Sequence, residues 1–262
     1  MSGGIWVHRV DRCGGPASVI AKALKINADR LIIKTRDGRS AYNDPDAALV
    51  ASMAMAEGLS LWVWSWPYAA TKAGESDYVS QQAELLCEDA LRMGAAGICL
   101  NIEAPFSWAP NHRWGDLHRE LWGQKASRKR MVRDLTRRLI TDVKAGACGQ
   151  PVAVSTFPIP KSHATASDLM AQLADEIWPQ CYFKGSGWQS KVNRAVDQWT
   201  DLGAKVIRFT GPGWRGPSKM RSMVSAVEER QGPAPVDFWV MDKMDDEDLE
   251  AAAAIISQEC RL

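Results

Sequence analysis

The sequence predicts an α/β fold: a single (β/α)8 barrel spanning residues 1–262, with an inserted loop after the fourth strand. Three observations carry this. Eight short apolar, β-branched or aromatic runs alternate with eight longer amphipathic stretches, the pattern of parallel βαβ units. The runs start mostly about 26 to 37 residues apart, one supersecondary unit each, and 262 residues match the roughly 250 that a closed barrel needs. Glycines that end a helical stretch and directly precede a strand mark the return turns at the bottom of such a barrel.

Taken in order, the first strand is Gly4–Val10, followed by a helix over Ala17–Lys25. The second strand, Arg30–Thr35, leads to Asp44-Pro45-Asp46, which places a cap and an early proline at the helix Asp46–Glu57. Gly58 closes that helix ahead of strand Ser60–Trp66 and helix Asp77–Met93. Gly94 then precedes the strand Gly97–Glu103. The interval before the next strand is long and holds the loop Ala104–Gly123, with Trp108, Trp114, Trp122, His112 and His118, and the helix Ser127–Ala145. A loop that long on the catalytic side of a barrel is more often functional than not. Strand Pro151–Phe157 pairs with helix Ala166–Ala174, and strand Glu176–Phe183 with helix Gln189–Leu202. After Gly203 come strand Ala204–Thr210, helix Ser218–Glu229, strand Val236–Asp242 and helix Asp245–Gln258. No linker or low-complexity stretch divides the chain.

Composition narrows the function classes. A net charge of +1 gives no basic excess of the kind that nucleic-acid surfaces show, and the run Lys125–Arg130 reads as the solvated face of a helix. No apolar run approaches the roughly 18 residues that span a bilayer, and Met1–Trp6 lacks the charged-then-apolar pattern of a secretory signal. The expectation is a soluble protein made inside a cell, phage-encoded and delivered to the cell wall in one version. The six cysteines form no Cys-x-x-Cys pair and read as reduced. The four histidines form no ligand pair, so neither a metal nor any other cofactor is expected. Tryptophan is the unusual count, 12 against 5 Phe and 4 Tyr. A flat apolar face with a polar N–H suits amphipathic partners such as sugar rings, although about half of these indoles are expected to fill the core.

Chemistry is expected where the strand ends converge. In the fourth strand Cys99, Asn101 and Glu103 share one face and Ile98, Leu100 and Ile102 the other. Asn101 and Glu103 therefore fall at the C-terminal mouth, where barrel enzymes keep their active sites. The other strand ends and following loops supply Asp11, Trp64, Trp66, Ser155, Thr156, Gln180, Tyr182, Arg208, Trp214, Trp239 and Asp242. Lys34 and Asp37 belong to the same rim. Candidate catalytic groups are Glu103, Asn101, Tyr182 and Asp242. Candidate substrate contacts are Asp11, Trp64, Trp66, Trp108, Gln180, Arg208, Trp214 and Trp239.

The segment Ala96-Gly97-Ile98-Cys99-Leu100-Asn101-Ile102-Glu103 resembles the strand-4 signature of family 18 chitinase-like glycosidases, Asp-Gly-x-Asp-x-Asp-x-Glu. Pro179-Gln180-Cys181-Tyr182 resembles that family's strand-6 motif, and Phe238-Trp239-Val240-Met241-Asp242 its strand-8 ending. The resemblance implies that Glu103 is the general acid, that Tyr182 assists the acetamido group, and that Trp239 floors the sugar subsite. The three Asp positions read Ala96, Cys99 and Asn101 here. Asn-x-Glu is the pattern of the related family 85 endo-β-N-acetylglucosaminidases, and family 25 lysozyme-like barrels are a more distant likeness. The function implied is hydrolysis of an N-acetylated glycan, peptidoglycan or chitin-like, in an endolysin-like protein. One carboxyl group suffices if the acetamido oxygen is the nucleophile; Asp242 or Asp11 would supply a second in a conventional pair. Two rivals stand beside it. One is a barrel that binds glycan, or builds a phage particle, without turnover. The other is a different barrel enzyme, with a phosphate site at Gly211-Pro212-Gly213 or a Schiff base on Lys34, Lys184 or Lys243.

Overall fold

The computed structural model describes residues 3–68, 77–103, 125–160, 165–183, 186–232 and 235–259. Its strands are β1 (Gly4–Val7), β2 (Arg30–Asp37), β3 (Ser40–Ala41), β4 (Ser60–Trp66), β5 (Gly97–Asn101), β6 (Val152–Thr156), β7 (Glu176–Pro179), β8 (Phe209–Pro212) and β9 (Val236–Trp239). The helices are α1 (Pro16–Lys25), α2 (Asp46–Ala56), α3 (Tyr78–Arg92), α4 (Lys125–Gly146), α5 (Ser167–Leu173), α6 (Trp188–Asp201), α7 (Pro217–Gln231) and α8 (Asp246–Glu259). All strands but β3 run parallel, in the order β7-β6-β5-β4-β2-β1-β9-β8. The two end strands meet: Ile177 bridges Ile207, Gln180 bridges Thr210, and the Cys181 N–H donates to the Thr210 carbonyl at 2.8 Å. Eight parallel strands thus make a nearly closed barrel wrapped by helices, as the alternating pattern predicts.

The side-chain alternation within each strand divides the apolar residues into two layers. Ile5, Val7, Leu31, Ile33, Leu61, Val63, Ile98 and Leu100 point outward and pack with the helices in one large core. Trp6, Ile32, Trp62, Trp64, Cys99, Ala153, Trp178 and Val240 point inward and fill the barrel. The interior is therefore unusually aromatic. Trp6 meets Trp64, Trp178 and Trp239 edge-on, with ring centroids 5.4, 5.7 and 5.0 Å apart, the geometry that places a positive ring edge on a negative face. So many indoles need a gap opposite them, and Gly97 provides one: a Cβ there would lie 2.6 Å from the Trp62 ring.

The N-terminal end of the barrel is closed by charge rather than by aliphatic side chains. The guanidinium of Arg208 donates to both carboxylate oxygens of Asp237 at 2.7 Å. Arg30 lies over the faces of Trp62 and Trp178, and the Trp178 indole donates to Glu176 at 2.7 Å. Among the described residues, no helix is long and apolar enough to cross a membrane.

Most differences from the sequence-based elements are at strand ends. Regular pairing stops at Val7, Asn101, Pro179 and Trp239, a few residues earlier than hydrophobicity suggests, although single inter-strand bonds continue at Ile102, Gln180 and Cys181. Ala204–Thr210 is expected as a strand, but pairing becomes regular only over Phe209–Pro212, and Val206 is half exposed. Gly211 and Pro212, expected in a loop, therefore belong to β8. The hairpin of β2 with β3, paired through Arg36–Ala41 and Asp37–Ser40, is an addition to the expected elements, and its signal is the turn dipeptide Asp37-Gly38.

Candidate active site

Three adjacent strands bring the central polar group together. Asn101 is the last residue of β5 and is level with Ser155 on β6. The Ile102 N–H donates to the Ser155 carbonyl at 2.9 Å, which keeps the chain extended for two residues more, so that Glu103 stays on the inward face with Asn101. On the other side Gln180 follows β7, held by its N–H to the Thr156 carbonyl at 2.9 Å. Its Nε2 donates to Glu103 Oε1 at 2.6 Å, to Asn101 Oδ1 at 2.6 Å and to Ser155 Oγ at 3.1 Å. Asn101 and Ser155 are wholly buried.

Above this group lies a cavity of about 340 Å3, lined by Trp66, Glu103, Phe157, Pro158, Gln180, Tyr182, Phe183 and Trp239. That volume suits a small ligand. Its walls are aromatic, and Glu103 is the one carboxyl group lining it among the described residues. Burial pushes the Glu103 carboxyl up from its ordinary value, against the amides of Gln180 and Asn101, which favour its ionised form. Asn101 Nδ2 contributes to that field, but among the described residues it makes no hydrogen bond of acceptable geometry. The Tyr182 hydroxyl is buried without a partner among the described residues, while its ring meets Trp214 edge-on at 5.3 Å. Desolvation, with the charge of Glu103 nearby, holds that phenol well above its usual range, so it remains a neutral donor. A raised carboxyl, an unused phenol and aromatic walls can accept a ring, donate a proton to an oxygen and withdraw it again.

Of the residues that the sequence points to, Glu103, Asn101, Gln180, Tyr182, Trp66 and Trp239 come together here. Trp214 stands behind Tyr182, with Lys243 over its ring at 5.4 Å. Three others lie elsewhere. Asp11 is on the surface, where its carboxylate takes two hydrogen bonds from Arg9. Trp64 is buried in the barrel interior and donates to the Val7 carbonyl at 3.2 Å. Arg208 is spent on Asp237 at the opposite end of the barrel from the cavity. Trp108 and Lys184 lie outside the described residues, as does the loop 104–124.

Asp242 belongs to a second cluster, over β1 and β2. Its side chain is 1% exposed, and Oδ2 is 3.9 Å from His8 Nδ1, too far for a hydrogen bond. His8 stacks on Tyr42 and Trp64, and its Nε2 meets the Tyr42 hydroxyl at 3.1 Å. Lys34, 3% exposed, is boxed beneath the rings of Tyr42, Trp64 and Trp66, with Asp37 3.5 Å from its Nζ. Desolvation lowers its pKa, but the ring faces and Asp37 compensate a charge that no ligand is needed to balance. His8 and Tyr42 are missed by the sequence reasoning, as are Phe157 and Phe183 in the cavity wall. His8 has a readable signal: it lies two residues beyond the inward-facing Trp6.

No protein-family model and no curated protein matches the sequence. Solved structures do resemble it in fold. A chitinase from Chromobacterium violaceum ATCC 12472 superposes with a TM-score of 0.63 at 10% identity, over 100% of both chains. A D-allulose 3-epimerase from Methylomonas sp. reaches 0.60 at 14% identity, over 98% of both chains. A β-mannanase from Streptomyces thermolilacinus, solved with mannohexaose, reaches 0.58 at 13%, over 98% of this chain and 89% of its own. At such identities the likeness establishes the α/β barrel, a scaffold that glycoside hydrolases share with an epimerase.

Proposed function

We propose that the protein is a glycoside hydrolase of N-acetylated glycans, peptidoglycan or chitin-like, with Glu103 as its general acid and base. One observation supports this above the others: a partly buried carboxyl, raised by desolvation and the one lining an aromatic cavity at the C-terminal mouth of the barrel among the described residues. Protonated Glu103 gives its proton to the glycosidic oxygen as the bond to the anomeric carbon breaks. The oxygen of the sugar's own 2-acetamido group closes onto that carbon, and Glu103, now ionised, takes a proton from the water that opens the ring. The substrate supplies the nucleophile, so no second carboxylate is required. Asn101, buried below the cavity, acts on the substrate only through Gln180 and Glu103, while the Tyr182 hydroxyl donates to the acetamido oxygen and Trp66 and Trp239 stack on ring faces. The chitinase and mannanase likenesses agree with a carbohydrate substrate without selecting one.

An amide at Asn101, where chitinase-like enzymes carry a carboxylate, favours a second reading, a barrel that binds glycan without cleaving it. Release of reducing ends from chitin oligosaccharides and peptidoglycan, beside their de-N-acetylated counterparts, decides between them. Turnover of the acetylated polymers alone is expected. Equal turnover of both would require a second protein carboxylate, and binding without turnover would leave a binding module.

A further inference from the structure

We propose that Arg215 and Lys243 form a subsite for a carboxylate carried by the glycan, so that the preferred substrate is an acidic N-acetylated polymer and not a neutral one. This rests on the glycan reading of the cavity and adds a specificity to it. The two cations follow the ends of paired strands, Arg215 after β8 and Lys243 after β9, and both flank one indole. Arg215 Cζ lies 5.6 Å and Lys243 Nζ 5.4 Å from the centre of the Trp214 ring. That ring stands edge-on to Tyr182, which lines the cavity. The Tyr182 phenol feels the charge of Glu103 and, with the opposite sign, that of Arg215, so the guanidinium and the proposed acid bear on the same group.

Among the described residues, neither cation has a carboxylate within 4.0 Å. By contrast Arg9, Lys34 and Arg36, at the ends of β1 and β2, face Asp11, Asp37 and Asp89. The acidic groups near Arg215 and Lys243 in the chain are turned elsewhere. Asp242 is buried toward His8, Asp245 accepts from the Asp248 N–H at 2.9 Å, and Asp248 accepts from the Gly216 N–H at 3.1 Å. Two like charges beside one ring repel, and the ring face offsets only part of that. A ligand anion would balance them. Arg215 is also aimed: Nη1 is directed at the Tyr182 and Phe183 carbonyls at 3.4 Å, which leaves the Nε and Nη2 edge without a partner among the described residues. Such an edge matches the two oxygens of a carboxylate. With the 2-acetamido oxygen on the Tyr182 hydroxyl, the lactyl carboxylate of a muramic acid ring hangs from the next carbon, C3. A uronic acid in the neighbouring residue is the other source of the same group.

Calorimetric titration tests this, with Glu103→Gln as the host so that nothing is cleaved. The probes are a tetrasaccharide of alternating N-acetylglucosamine and N-acetylmuramic acid, the same molecule with its carboxyls reduced to alcohols, chitotetraose and a hyaluronan tetrasaccharide. The muramyl probe should bind about tenfold tighter than its reduced form and than chitotetraose, and the margin should narrow in high salt. Adding Arg215→Gln should bring that ratio close to one, and adding Lys243→Gln should cut it about threefold, with chitotetraose binding unchanged in both. A preference for the hyaluronan fragment instead keeps the subsite and makes its ligand a uronate. No preference for either carboxylate overturns the proposal and leaves the hydrolase reading in place, whereas no binding of any probe brings down both. A loss in Arg215→Gln that is equal for all four probes also overturns it, since Arg215 would then only shape the cavity wall.

Discussion

Arg208 grips Asp237 inside the barrel through two hydrogen bonds of 2.7 Å, and both side chains are almost fully buried. The pair is fixed to the N-terminal layer, where it works on the fold and not on a ligand. Arg208→Met leaves a buried carboxylate without its partner and should cost about 3–5 kcal/mol. The double variant Arg208→Met/Asp237→Leu should recover most of that loss. Urea unfolding midpoints check both, and an Arg208→Met protein of full stability but weakened glycan binding would return Arg208 to the site.

Trp66 lines the cavity, unlike Trp62 and Trp64 below it on the same strand. Trp66→Ala should raise KM on a glycan substrate about tenfold, the size of one stacking contact with its buried area, and should move kcat less. Trp178→Ala, deep in the barrel, should instead destabilise by about 3–5 kcal/mol. Steady-state kinetics and thermal melts separate the two kinds of indole.

Glu103 holds its proton more tightly in the folded protein than in the unfolded chain, because burial opposes its charge. Between the ordinary glutamate value and the raised one, the folded state therefore binds more protons. Stability falls as pH rises through that window, and above it the ionised carboxylate is a constant penalty. Glu103→Gln should melt higher than the parent at neutral pH, with the difference gone below about pH 4, where both folded and unfolded chains are protonated. Differential scanning calorimetry against pH reads the sign, and a variant less stable at neutral pH would contradict it.

Asp11 tests the boundary of the site. Its carboxylate is paired with Arg9 in open solvent, away from the cavity. Asp11→Asn should leave kcat and KM on any turned-over glycan unchanged. A large loss would mean that the surface beside the 3-10 turn Asp11–Cys13 takes part in binding.

The barrel was legible because its cause is local. Alternation along β5 puts Ile98 and Leu100 against helices and Cys99 and Asn101 inside, and that parity can be read from seven letters. Extending the parity to Glu103 also works, since one hydrogen bond from Ile102 keeps the chain extended. What a strand end touches across the barrel is a different matter. Arg208 and Gln180 look alike as polar residues on inward faces. Only the stagger of neighbouring strands sends one to Asp237 at the bottom and the other to Glu103 at the top. Trp64 shows the same limit: its face is predictable, but its depth depends on strand tilt and on the indoles packed edge-on and tilted around it. The sequence leaves Lys34 open, and the box around it needs Tyr42, brought back by the short hairpin that turns at Asp37-Gly38.

The most direct measurement is reducing-end release from an N-acetylated oligosaccharide by the protein and by Glu103→Gln, at matched folded concentrations. An amide can still bond to Gln180 but has no proton to lend, so turnover should fall by several powers of ten while the glycan stays bound. Equal rates for the two proteins would take the carboxyl at position 103 out of the chemistry.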